Sequence, residues 1–250
     1  MPFAVEEDTG TERLFVAFPK LRTGVARPPV VVGRRLAGLA GHRLYLGADK
    51  DRFVGPNAQL LGLKTAVEIV GREADRLGVR RENVVFFGTS MGAGCALMLA
   101  LAWGSGTVVG GGVPVLSGTL LQRIADRGAT GGGGKRAAAS VIESARQGDA
   151  GDPVSFLDGL FFRLANELRE PVTAHFITSP SDYADAGVRR FVRFAEGLPY
   201  LRITLHHGSY ERHNDVRDEF FALLRQVVGA VPGRAPLTDP SGLEGRTSSE

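Results

Sequence analysis

A serine stands between two glycines, Gly88-Thr89-Ser90-Met91-Gly92, where an apolar run gives way to a small-residue run in NVVFFGTSMGAGCALMLALAW (83–103). On a sharp strand-to-helix turn a serine hydroxyl is pushed clear of the backbone, and glycines two residues either side are needed because a Cβ there would collide across the turn. The helix starting at the serine turns its free N–H groups and positive dipole end towards any anion formed beside Ser90. With 34 glycines in 250 residues, the bare pattern arises by chance in about one such chain in five, so the strand before it and the helix after it carry the argument. A phosphate loop fits less well: Gly88, Gly92 and Gly94 match neither G-x-G-x-x-G nor G-x-x-x-x-G-K-[ST].

A serine hydroxyl is a weak nucleophile until a base takes its proton, and the base needs a third group to hold its tautomer. In a doubly wound sheet the ligand site lies outside the carboxyl ends of the strands, so acid and base are sought just after the late strands. Asp182, in TSPSD directly after PVTAHFIT, is the favoured acid and Asp185 the near alternative, although Asp is also an ordinary turn and cap residue. Three of the five histidines cluster late: His206, His207 and His213. His213 opens the loop-to-helix junction RHNDVRDEF and is the favoured base. His206 and His207 end a strand and point to opposite faces. His42 and His175, at the start and middle of strands, read as structural. No H-x-x-x-H and no carboxylate metal loop occurs, so neither metal nor cofactor is expected.

The elements that must position these groups alternate along the chain. Residues 13–19 and 42–49 read as strands, and from Pro56 apolar residues recur at helical spacing until Gly78. The Ser90 strand and helix follow, then TVVGGGVPV (107–115), whose glycines allow close backbone approach. After an irregular stretch come a strand at 171–180, a helix at 184–196, a strand at 200–207 and a helix at 215–228. This βαβα order predicts a mainly parallel sheet with helices on both faces. The irregular stretch, 116–170, holds ATGGGGKR and amphipathic helical patterns; it could cap the site as a lid or simply pack on the sheet. Residues 1–11 read as an N-terminal tail, 12–229 as one domain, and the Pro-, Gly- and Ser-rich 230–250 as a disordered tail.

The chain is 250 residues long and 43% apolar, enough for one large α/β core. No apolar run reaches membrane-spanning length and the acidic N-terminus is no signal peptide, so a cytoplasmic location is expected. The net charge of +3 is spread as scattered arginines among acids, which argues against a nucleic-acid partner. Cys95 is the single cysteine; it excludes an internal disulfide and reads as a small packing residue.

Ser90, Asp182 and His213 follow the order Ser, Asp, His, and with GTSMG (88–92), SPSD (179–182) and ERHND (211–215) the chain resembles the α/β-hydrolase family over about residues 12–229. The resemblance implies a reduced, six-stranded version of that fold, because a chain entering at RLFVAFP lacks two leading antiparallel strands. It also implies a serine hydrolase that cleaves a small-molecule acyl ester. Acyl transfer through the same triad, and a catalytically silent binding protein, are the alternatives. The family's oxyanion hole uses the N–H after the nucleophile, here Met91, and a second from the loop PKLRTG (19–24). Pro19 has no N–H, so Lys20 or Leu21 must donate, and the HGGG pattern is absent. Residues 42–63 and 78–94 are also similar to α/β-hydrolase-like proteins of bacterial accessory secretion and capsule export, which are linked to sugar acetylation. Substrate identity and oligomeric state are not legible.

Overall fold

The computed structural model describes residues 3–18, 35–36, 38–47, 56–126, 142–143 and 152–229. Its strands are β1 (Phe3–Glu6), β2 (Leu14–Ala17), β3 (His42–Leu46), β4 (Val84–Thr89), β5 (Gly106–Gly111), β6 (Val172–Thr178) and β7 (Leu201–His207). Its helices are α1 (Pro56–Arg76), α2 (Met91–Trp103), α3 (Ser117–Asp126), α4 (Pro153–Asn166), α5 (Asp185–Ala195) and α6 (Val216–Val228). The strands form one sheet in the order β1-β3-β2-β4-β5-β6-β7.

All neighbouring strands are parallel except β1, which runs antiparallel to β3 with Phe3 opposite Leu46. The sheet thus has seven strands rather than the expected six, and the extra one lies in the segment read as a tail. Four residues at a sheet edge, with Phe3 exposed and none buried, carry too little alternation to stand out from a tail. Pairing fixes them: Glu6 accepts hydrogen bonds from Arg43 Nη1 at 3.2 Å and Tyr45 Oη at 3.1 Å.

Strands β2 and β3 are buried at every position; β2 therefore reads as a continuous apolar run, whereas β3 also buries His42 and Arg43. Alternate residues serve two cores. Leu14, Val16, Phe86, Val108 and Phe176 face α1, α2, α4 and α5, whereas Phe15, Phe87, Val109 and Ile177 face α6. The chain runs outwards from β2 to β3 and from β4 to β5, so its direction across the sheet reverses between β2 and β4, and Ser90 follows the carboxyl end of β4, where such a reversal favours a ligand site.

Within the segment 116–170, α3 and α4 pack together, and Asp158 receives both the Thr119 N–H, at 3.0 Å, and the Thr119 hydroxyl. Asp152 caps α4 by accepting the Val154 and Ser155 N–H groups at 3.1 and 3.4 Å, with Pro153 in the first turn. The glycine-rich stretch at 129–136, the loop at 19–24 and the C-terminal tail lie outside the described residues. Among the described residues, no helix is long and apolar enough to cross a membrane.

Candidate active site

Ser90 is the only non-glycine residue with a positive φ among those described, at φ 54° and ψ −130°. That backbone is strained for any residue with a Cβ. It is over-determined by its surroundings. The Ser90 N–H donates to Gly111 O at 2.8 Å, the Ser90 carbonyl accepts from Ala93 and Gly94, and helix α2 begins at the next residue. Gly88 is required as expected, since a Cβ there would lie 2.5 Å from the Gly92 carbonyl carbon. A Cβ on Gly92 would meet Phe18 O at 3.2 Å.

The three expected residues meet above this turn. Asp182 comes from the loop after β6, its side chain fully buried, and His213 from a short 3₁₀ turn (His213–Asp215) between β7 and α6. His213 Nδ1 lies 2.9 and 3.0 Å from the two Asp182 oxygens, and Nε2 lies 2.7 Å from Ser90 Oγ. A carboxylate only accepts, so Nδ1 carries the proton and Nε2 turns its lone pair to the serine. Asp182 also accepts the Ala184 N–H at 2.9 Å and the Tyr210 hydroxyl at 2.9 Å. Burial alone pushes its carboxyl up, but the hydrogen bonds from His213, Ala184 and Tyr210 outweigh this and hold it below the ordinary carboxylate value. It therefore remains an anion beside the imidazole.

The remaining candidates lie elsewhere. Asp185 opens α5 and pairs with Arg189 Nε at 2.8 Å. His206 faces His175, with 3.4 Å between ring nitrogens, and His207 is exposed. His42 Nδ1 accepts the Asp8 N–H at 3.1 Å, the structural role expected of it. Met91 starts α2 with an exposed side chain, and Lys20 lies outside the described residues. Among those residues no cluster of three or more metal-ligating side chains occurs.

Three residues at the site were missed from the sequence. Tyr210 holds Asp182. Tyr183 stacks on His213 with ring centroids 4.3 Å apart and brings its hydroxyl 2.9 Å from Nε2. Gly112, at φ 57°, passes under the pair so closely that a Cβ would lie 2.7 Å from His213 Cε1 and 3.0 Å from Asp182 Oδ2. The signals were present as a tyrosine directly after Asp182, another three residues before His213, and the glycine triplet ending β5. An apolar cavity of about 80 Å³ opens beyond Met91, walled by Cys95 and Met98 of α2 and by Leu157, Leu160 and Phe161 of α4. Cys95 is a packing residue of that wall, and burial pushes its thiol up to about 11.

The architecture is an α/β-hydrolase-like fold, shared with esterases and an O-acetyltransferase of known structure. The capsule O-acetyltransferase of Neisseria meningitidis serogroup A superposes with a TM-score of 0.61 at 11% identity over 90% of both chains. The acetyl xylan esterase from Paenibacillus sp. R4 gives 0.57 at 14% identity, over 90% of this chain and 76% of that one. The glycosylation-associated protein (Gap123) complex from Streptococcus agalactiae gives 0.63 at 14% identity. That match covers 93% of this chain but only 45% of the larger one, so the present chain spans less than half its length. No family model matches the chain, and no curated protein matches it.

Proposed function

We propose that the chain is an ester-acting serine enzyme in which Ser90 is the nucleophile, His213 the base and Asp182 the group that orients it. The observation that carries this reading is the unbroken hydrogen-bond line from Ser90 Oγ through His213 to a buried, ionised Asp182, on a strained backbone turn. As Ser90 Oγ attacks the ester carbonyl, its proton passes to Nε2, and Asp182 stabilises the imidazolium without taking the proton. Nε2 then protonates the leaving alkoxide, and a water activated by the same nitrogen releases the acid from the acyl-serine. The Met91 N–H, at the head of α2, is the proposed first oxyanion donor and the Lys20 N–H the second. The small apolar cavity beyond Met91 suits a short acyl group better than a charged one.

Acyl transfer to a hydroxyl is the second reading. Its support is the O-acetyltransferase likeness, which extends over 90% of both chains; the same residues would serve both reactions. A fluorophosphonate probe tests the nucleophile. It should label the wild type and fail to label Ser90→Ala, and a folded wild-type protein that takes no label would instead be the silent binding protein. Ester turnover should be abolished in His213→Ala and retained in His207→Ala; the reverse pattern would reassign the base.

A further inference from the structure

His213 has one lone pair to offer at Nε2 and two hydroxyls beside it. Ser90 Oγ stands at 2.7 Å and Tyr183 Oη at 2.9 Å. With Nδ1–H committed to Asp182, Nε2 accepts from only one of them at a time. The mechanism needs Nε2 to handle two oxygens in turn: first Ser90 Oγ, then the ester's leaving oxygen and, later, the oxygen that attacks the acyl-serine. That second oxygen must come within about 2.6–3.2 Å of Nε2. In the resting site the Tyr183 hydroxyl occupies this place.

We propose, resting on the ester-acting reading above, that Tyr183 is the specificity residue of the alcohol side: it keeps the second oxygen position closed to water and yields it to an alcohol. The phenol remains protonated at neutral pH: burial raises it, the hydrogen bond with Ser90 lowers it by less, and the charge of Asp182 adds a smaller upward push. It therefore retains an O–H to donate. Tyr183 is 50% exposed on the turn after Asp182, so its ring can swing towards solvent without opening either core. An entering alcohol meets the ring with its carbon skeleton and the hydroxyl with its oxygen, whereas water meets only the hydroxyl. In the step itself the alcohol oxygen bonds to the acyl carbon while its proton moves to Nε2. The bond from that carbon to Ser90 Oγ then breaks, and Oγ takes the proton back. The products are a new ester and free serine.

The test is the partition of one acyl-enzyme between two acceptors. p-Nitrophenyl acetate is turned over in the presence of glycerol, and acetate and glycerol acetate are quantified for wild type, Tyr183→Phe and Tyr183→Ala. Both products come from the same acyl-serine, so their ratio is untouched by losses of folded protein or of acylation rate. The ratio of transfer to hydrolysis should fall about fivefold in Tyr183→Phe, where the position filled by the hydroxyl is opened to water, and at least as far in Tyr183→Ala, where the ring that meets the alcohol's carbon skeleton is lost as well. A ratio that stays within about twofold of wild type in both variants, or rises, overturns the role given to Tyr183. A wild type that releases no more nitrophenolate than Ser90→Ala would refute the ester-acting reading and this inference with it; Ser90-dependent release with an unchanged ratio would refute this inference alone.

Discussion

Gly112→Ala is the sharpest perturbation the structure offers, because one methyl group acts on His213 and Asp182 at once. A Cβ there would stand 2.7 Å from His213 Cε1, and 3.0 Å from His213 Nδ1 and Asp182 Oδ2. Carbon contacts settle near about 3.5–4.0 Å, so the imidazole must retreat by roughly 0.8 Å or more. Tyr183 lies against it, limiting where it can go. A displacement near 1 Å within a reacting constellation typically lowers rate about 100-fold. The methyl also forces a residue with a Cβ to φ 57°, at a cost of about 1–2 kcal/mol.

The two effects separate with a control. Gly78 has φ 66° and nothing within 4 Å of an added Cβ, so Gly78→Ala carries the backbone strain without the clash. Both variants should lose a few degrees in Tm, roughly 2–4 °C per kcal/mol for a chain of this size. Only Gly112→Ala should lose about two orders of magnitude in kcat/KM on p-nitrophenyl acetate. Turnover by folded Gly112→Ala within about threefold of wild type would refute the steric account, as would an equal loss in Gly78→Ala.

Tyr210→Phe removes a hydrogen bond to the ionised Asp182; bonds to charged groups contribute about 1.5–3 kcal/mol, so kcat/KM should fall at least tenfold with the fold retained, and unchanged kinetics would remove Tyr210 from the site. Ser90→Gly and Ser90→Ala both remove the proposed nucleophile, but only glycine relieves the strain at φ 54°. Ser90→Gly should therefore unfold at a higher denaturant midpoint than Ser90→Ala, by about 1 kcal/mol after glycine's unfolded-state entropy is set against it; equal midpoints would show that the turn stores no strain. His175 is lowered by burial and then by His206, and His206 by burial and then by His207. The unfolded chain takes up these protons first, so stability should fall as pH drops below about 6.5 towards the lower folded values. Melting curves between pH 7.5 and 5 should be flatter for His206→Gln, and an unaltered slope would dismiss the pair. Asp182 acts in the same direction but below its ordinary value of 3.8, outside that window.

What was legible in the sequence divides by the range of the interaction. The Ser90 turn could be read because its steric demand is local: Gly88 meets Gly92, four residues away. The buried strands could be read because both faces are covered and the apolar run is continuous. His213 is favoured over His206 and His207 from the position of a loop, which is also local, and it is the histidine whose ring reaches Ser90 Oγ. Tyr210, Tyr183 and Gly112 could not be read this way. Tyr210 is 28 residues from the carboxylate it binds and Tyr183 is 30 from the imidazole it covers. The glycine triplet at the end of β5 announced a close approach without saying to what, since Asp182 arrives only after β6 and His213 only after β7. The missed strand β1 has the same cause, its stability lying in pairing with residues about forty positions on.

Ser90 is held from both directions in the chain, and this explains why its strain persists. Locally, Gly88 and the first turn of α2 force the bend; at long range, the Ser90 N–H is anchored to Gly111 O, and the next residue, Gly112, is itself anchored to Ile177 O at 3.0 Å. The carboxyl ends of β4, β5 and β6 are thereby tied in sequence, and β6 runs on into the turn that carries Asp182. Displacing Gly112 therefore acts on Asp182 and His213 by contact and on Ser90 through its neighbour Gly111. A serine placed by its own turn alone could relax independently of its partners, whereas this one is coupled to them through the sheet.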